Sequence, residues 1–126
     1  MTHCFDVLPE TLAICRLDGN APLPTWARGE LVSLTRCENE LSVVCEASHV
    51  PADIRADRGW TALRISGPLD LDQIGILADI SRLLAEAQIS VFVISTFDTD
   101  IILIRQDQLR SATETLRAAG HIVRDA

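Results

Sequence analysis

Residues 60–105, WTALRISGPLDLDQIGILADISRLLAEAQISVFVISTFDTDIILIR, decide the fold of this chain of 126 residues. Runs of apolar and β-branched residues at 60–66, 90–96 and 101–105 predict three strands, because each run is bounded by turn-forming residues. A helix is predicted over 71–88, where apolar residues recur at steps of three and four. The apolar stripe of this helix consists of Ile74, Leu77, Ile80, Leu84 and Ala87.

A second helix and a fourth strand complete the pattern. Asp107 precedes an apolar periodicity that ends at Gly120, the residue type that helix C-caps favour. Residues 121–124 predict a short strand. The order β-α-β-β-α-β is that of a ferredoxin-like α+β unit, whose sheet has the strand order 4-1-3-2.

A trimmed copy of the same pattern precedes this unit. Residues 16–19 (RLDG) match residues 64–67 (RISG), and residues 35–41 match residues 95–101. We therefore predict a duplicated unit, with a degenerate half at 1–58 and a complete unit at 59–126; chance similarity between short hairpins is the alternative.

The second strand of the complete unit, 90–96, lies at a sheet edge in the predicted order. It is apolar on both faces and uncharged, so it needs a cover. Residues 31–36 of the first half can supply that cover, as can a strand of another chain. Either arrangement pairs two antiparallel sheets edge to edge and opens a groove between units, where a small ligand can bind.

Composition excludes several classes of function. There are 18 acidic against 11 basic residues, and the formal charge of −7 disfavours nucleic acid and anionic membranes as partners. No apolar run approaches the roughly 18 residues of a membrane helix, and no secretion signal opens the chain, so a cytoplasmic location is predicted. Cys15 and Cys45 lie in strand-like runs and are predicted to be buried thiols; a zinc site or a nucleophilic cysteine is the alternative.

Two loops carry the candidate binding residues. Residues 67–76 run from a strand end into a helix N-terminus, whose free N–H groups attract a carboxylate. Residues 95–100 offer hydroxyls, a ring and two carboxylates, which suit an ammonium group. The pair of loops suits a zwitterion. The alternative is that their acidic residues only cap the helix and form the hairpin turn.

Catalytic motifs are missing from the sequence: there is no P-loop, no H-E-x-x-H and no Ser-His-Asp spacing. We predict that the chain is not an enzyme and that it needs no cofactor and no metal.

Residues 60–126 resemble the ACT domain, an amino-acid-sensing regulatory module. The motifs are G-P-L-D followed by G-I-L-A within 67–78, and I-S-T-F-D-T-D-I-I-L at 94–103. They are similar to the subfamily that contains the animal cytosolic arginine sensors and bacterial tandem ACT proteins. The segment SLTRCENELSVVCEASHVP at 33–51 resembles the preceding region of the bacterial members.

This resemblance implies a ligand site at the interface between paired ACT units. The loop after the first strand would meet the carboxylate and ammonium of an amino acid, and the end of the second strand with its turn would cover the rest. The implied ligand-binding residues are Asp72, Gln73, Ile74, Gly75, Ile76, Thr96, Phe97 and Asp100. Gln73 stands where the arginine sensors carry an acid, so arginine itself is not implied as the ligand.

The leading hypothesis is a non-catalytic regulatory module that binds a free amino acid with a neutral or basic side chain. It would act as a homodimer on a regulated protein that the sequence does not identify. The alternative is a structural or oligomerisation module without a ligand, whose groove is filled by Phe97 or Trp26.

Overall fold

The structure is a computed structural model that describes residues 2–66 and 74–126. In these ranges the chain forms eight strands, two α-helices and short 3-10 helices at Ala47–His49 and Gln106–Gln108. The strands are β1 (Cys4–Val7), β2 (Leu12–Asp18), β3 (Ser33–Cys37), β4 (Glu40–Glu46), β5 (Ala56–Ile65), β6 (Phe92–Ser95), β7 (Asp100–Arg105) and β8 (Ile122–Arg124). The helices are α1 (Ile76–Glu86) and α2 (Leu109–Ala118). The predicted α+β, ferredoxin-like class is confirmed.

The chain packs into two compact units. Met1–Pro9 joins Thr61–Ala126 in one, called here the helical unit, and Glu10–Trp60 forms the other, called the inserted unit. The first residues of the chain thus pack with its second half, whereas the sequence placed them in a half at 1–58. Strand β5 contributes its first part to the inserted unit and its second part to the helical unit.

The sheet of the helical unit has the order β6-β7-β5-β1-β8. Strand β1 pairs antiparallel with β5 and parallel with β8, so that Phe5 lies between Ile65 and Val123. The predicted order placed the first and fourth strands side by side, which is wrong because β1 is inserted between them. Phe5 and Val7 are both buried, which gives this short strand an apolar face toward the core.

Both helices pack on one face of this sheet and form the core of the helical unit. The core combines residues of the two helices with residues of β1, β5, β7 and β8: Phe5, Leu63, Ile65, Ile80, Leu84, Ile102, Ile104, Ala112, Leu116 and Val123. Ile74 was expected on the buried stripe of α1 but is 94% exposed. The reason is Gly75, whose φ of +88° turns the chain immediately before the helix begins at Ile76.

The inserted unit has the antiparallel order β3-β4-β2-β5, which is the 4-1-3-2 order of a ferredoxin-like sheet. Loops and the 3-10 helix at Ala47–His49 stand where the helical unit has α1 and α2. Its core contains the buried Cys15, Leu41, Val43 and Cys45, against which Trp26 packs.

Three strands are sheet edges in the described parts of the chain: β6 pairs only with β7, β3 pairs only with β4, and the short β8 pairs only with β1. The predicted cover of 90–96 by 31–36 of the same chain is therefore wrong. Val93 in β6 stays 37% exposed. Cover by another chain remains a prediction. None of the helices in 2–66 and 74–126 is long and apolar enough to cross a membrane.

Candidate functional site

The candidate site lies in the helical unit, where β5 and β6 end. The Thr99 hydroxyl donates a hydrogen bond of 2.7 Å to the backbone carbonyl of Ile65, the last residue of β5. The turn after β6 is thereby joined to the strand end from which residues 67–76 continue. This hydrogen bond therefore fixes the turn against the end of β5, just before the first residue of the other loop that the sequence assigned to the site.

The turn between β6 and β7 is closed by its own hydrogen bonds. The Thr96 N–H donates to the Thr99 carbonyl at 2.8 Å, and the Thr96 hydroxyl lies 3.0 Å from that carbonyl and 3.2 Å from the Thr99 nitrogen. The Ser95 hydroxyl donates to Oδ1 of Asp100 at 2.5 Å. The Asp100 carboxylate is therefore held in one orientation, with its Oδ1 atom engaged by the Ser95 hydroxyl.

The start of α1 is the second segment that the sequence assigned to the site. Gly75 is the N-cap, and a Cβ at this position would meet no atom within 4 Å. The Ile76 side chain is buried in the core at 7% exposure, so this side chain is not available to a ligand. The first N–H groups of a helix have no intrahelical acceptor, which leaves them available to an anion.

The remaining predicted ligand residues are distributed differently. Phe97 sits at the tip of the turn and is 80% exposed, so it does not fill the core. Asp72 and Gln73 lie outside the described residues. Ser95 and Thr99 were not chosen from the sequence as site residues. Their signal is the run of hydroxyl and acidic residues in STFDTD, which is typical of turns closed by side-chain hydrogen bonds.

The end of β5 is also held by hydrogen bonds with β1 and β8. The Ser66 N–H donates to the Cys4 carbonyl at 2.7 Å, and Arg124 reaches the Ser66 hydroxyl at 3.1 Å. Arg124 also donates to Asp6, and this hydrogen bond lowers the pKa of the Asp6 carboxyl below its usual 3.8. Strand β1 therefore anchors the residue that leads into the candidate ligand loop.

Two of the four cysteines lie in the core of the inserted unit. Cys15 and Cys45 are free and buried, as predicted. Burial raises the pKa of the Cys15 thiol to about 11 and also raises the pKa of Cys45, which keeps both protonated at neutral pH. In the described ranges, no three His, Cys, Asp or Glu side chains are grouped so as to hold a metal ion.

A polar cleft of about 410 Å³ lies in the inserted unit, at the ends of β2 and β3. It is lined by Arg16, Asp18, Gly19, Asn20, Glu38 and Asn39. The Arg16 guanidinium already donates to the Asn39 carbonyl at 2.9 Å, and the charged side chains are exposed. Exposed charges bind ions weakly, so this cleft is a poorer candidate than the end of β5.

Sequence comparisons match both parts of the chain. The sequence profile of the ACT domain matches residues 55–118, and the profile of an N-terminal domain from a second family matches residues 10–53. The human protein named "Cytosolic arginine sensor for mTORC1 subunit 1" is 36% identical over 88 residues. That alignment covers 64% of this chain and 27% of the human protein, so the chain spans about a quarter of the length of the curated relatives it matches.

Solved structures extend the comparison to the whole chain. A protein from Agrobacterium tumefaciens is 35% identical, with a TM-score of 0.94 over 100% of this chain and 95% of that chain. The regulatory subunit of aspartate kinase from Thermus thermophilus, in its ligand-free form, is 12% identical. Its TM-score is 0.62, over 94% of this chain and 97% of that chain, which shows a shared fold alone.

Proposed function

Since the chain belongs to the ACT domain family, we propose that it is a non-catalytic regulatory module that binds a free amino acid between ACT units of a homodimer. The hydrogen bond from Thr99 to Ile65 is the observation that supports this proposal, because it joins the turn after β6 to the strand end that precedes the other candidate loop in sequence. We place the protein in the cytoplasm, the location that the human relative's name gives for that protein.

The chemistry of the two sides suits a zwitterion. The N–H groups at the start of α1 would donate hydrogen bonds to the carboxylate of the ligand, and Gly75 would let the ligand approach the backbone closely. Asp98 and Asp100 in and after the turn would attract its ammonium group. Their negative charge disfavours an acidic side chain on the ligand, so a neutral or basic amino acid is preferred.

The free edge of β6 supports a homodimer. Its outer side has no strand partner among the described residues, and residues 90–96 carry no charge that would protect it. The matching strand of a second copy would supply the missing backbone hydrogen bonds through a two-fold contact. Because β6 leads directly into the candidate turn, the partner would lie next to the ligand.

A calorimetric titration with each of the twenty standard amino acids, combined with thermal unfolding, tests this function. A ligand at a hundred times its dissociation constant stabilises the fold by about 2.7 kcal/mol, which is readily measured as a rise in unfolding temperature. Sedimentation gives the oligomeric state. A folded dimer that no amino acid stabilises at millimolar concentration would overturn the proposal and favour a structural pairing module, which the free edge of β6 also fits.

A further inference from the structure

We propose that Thr99 is a positioning residue of this site, one that holds the turn at 96–99 in the conformation that receives the ligand. The inference rests on the proposed function and extends it to a residue outside the set predicted to touch the amino acid. Thr99 lies between the exposed tip of the turn and the first residue of β7, and it is partly buried while Phe97 and Asp98 are exposed.

The Thr99 side chain links the turn to a carbonyl group that needs a donor. Ile65 is 1% exposed and ends β5, and its carbonyl accepts the Thr99 hydroxyl at 2.7 Å. A backbone carbonyl in partly buried surroundings is costly to leave without a donor. The hydroxyl therefore favours the docked turn over conformations in which water replaces it at Ile65.

The backbone of Thr99 closes the turn at the same time. Its carbonyl accepts the Thr96 N–H at 2.8 Å. One residue thus sets both the internal shape of the turn and its place against β5, whereas Thr96, Phe97 and Asp100 would supply the contacts to the ligand. When a binding-competent conformation is only partly populated, the apparent dissociation constant rises as that population falls. Removing the hydroxyl should then weaken binding without deleting any ligand contact.

Two substitutions in the full chain separate this role from general stability. Thr99→Val keeps the shape and removes the hydroxyl, and Thr99→Ser keeps the hydroxyl. Thr35→Val in β3 of the inserted unit is the matched control, because Thr35 is an exposed threonine on an edge strand. Dissociation constants are measured by calorimetry with the twenty standard amino acids, tested individually, and hydrogen exchange is measured at the Thr96 and Ile102 amides.

We expect Thr99→Val to weaken binding about fivefold, the effect of one lost hydrogen bond, and to speed exchange at Thr96 but not at Ile102. Thr99→Ser and Thr35→Val should stay within about twofold of the wild type. If Thr99→Val binds as tightly as the wild type, the inference is overturned and the proposed function stands. The same holds if Thr99→Ser loses as much affinity as Thr99→Val. A wild type that binds no amino acid would remove both. If Thr99→Val does not fold, Thr99→Ala takes its place in the same comparison.

Discussion

Asp6 in β1 lies directly opposite Arg124 in β8, and the Arg124 guanidinium donates to both of its carboxylate oxygens, at 2.6 and 3.1 Å. Arg64, its neighbour on β5, approaches the same carboxylate at 3.7 Å. One acid thus ties three strands together across the inserted β1. Because β1 also accepts the Ser66 N–H, this ion pair supports the strand end that leads into the candidate site.

The first prediction concerns the pH dependence of this contact. The Arg124 hydrogen bond lowers the pKa of Asp6, so its stabilisation is present above the unfolded value of 3.8 and is lost as pH falls through the folded pKa. We expect Asp6→Asn to lower the unfolding temperature by a few degrees at pH 7. Thermal unfolding should show this difference from wild type shrinking at pH 3 and below. Asp53→Asn, at an exposed carboxylate of the inserted unit, should change little; an equal loss there would argue against the assignment.

His121 gives a second pH dependence at higher pH. Burial lowers its pKa below 6.5, with further lowering by His3, while Asp79 acts in the opposite direction. Its Nδ1 accepts the His3 N–H at 3.0 Å, so the folded state favours the neutral ring. Between the lowered pKa of His121 in the folded state and its value of 6.5 in the unfolded state, the unfolded state binds more protons. The stabilisation that the neutral ring gives is therefore full above pH 6.5 and is lost as pH falls.

Urea unfolding between pH 8 and pH 5 measures this effect. We expect the free energy of unfolding to decrease toward pH 5 in the wild type, and to decrease less in His121→Asn, whose side-chain oxygen can still accept the His3 N–H. Thr35→Val, which changes an exposed residue of the inserted unit without altering a titratable group, should keep the wild-type slope. The same slope in His121→Asn would show that His121 does not cause it.

Gly75 and Gly120 allow backbone strain to be separated from ligand contact. Their φ values are +88° and +94°, and a Cβ at either position would meet no atom within 4 Å. Alanine at each should therefore cost a similar backbone strain, about 1 kcal/mol. Under the proposed function, Gly75→Ala should also weaken amino-acid binding, because the added methyl lies at the start of α1. Calorimetry on both variants checks this, and equal affinities would place the ligand elsewhere.

The free edge of β6 predicts the effect of a charge on assembly. Val93→Lys places an ammonium group in the strand that a second copy would pair with. We expect the dimer of this variant to be weaker, so that it dissociates at a higher protein concentration than the wild-type dimer. Sedimentation velocity measures the change. Leu34→Lys, on the edge strand β3 and at a similarly exposed position, is the control. Dissociation by Leu34→Lys alone would mean that the dimer forms through β3.

The sequence predicts those strands and helices of the helical unit that have a long apolar periodicity. It does not predict a strand that is held in place by partners far away in the sequence. Strands β6 and β7 and the body of α1 follow from apolar spacing, but the start of α1 moves to Ile76 because Gly75 adopts a positive φ. Strand β1 has four residues and gains its place only by pairing with β5 and β8. A segment that short carries too little pattern to predict a strand.

The repeat shows the same limit at the hairpins. The match of residues 35–41 to 95–101 implies that Thr35 corresponds to Ser95. In the structure Ser95 pairs with Asp100, whereas the last pair before the other turn is Cys37 with Glu40. The hydrogen bond from Thr96 to Thr99 extends the second hairpin by one more pair, so its two-residue turn is 97–98. This turn corresponds to 38–39 of the first hairpin, and the match between the two hairpins shifts by one residue. Hairpin register depends on turn geometry, which similarity of residue types does not reveal.

For the candidate site, residue chemistry indicated the loops but not the contact that joins the turn at 96–99 to the end of β5. Thr96, Phe97 and Asp100 stood out as groups that a ligand would touch. Thr99 did not, because its hydroxyl binds Ile65 across 34 positions of sequence, and nothing local predicts that pairing.

The placement of β1 also sets an order of events during synthesis on the ribosome. This strand leaves the exit tunnel well before its neighbours at 63–65 and 122–124. All strand partners in the sheet of Glu10–Trp60 are made before the last residues of the chain, so that unit can fold while β1 waits. The strand partner of Cys45 is also nearer in sequence than those of Phe5, so pulse-labelled hydrogen exchange during refolding should protect Cys45 before Phe5. Simultaneous protection would mean that the two units fold as one.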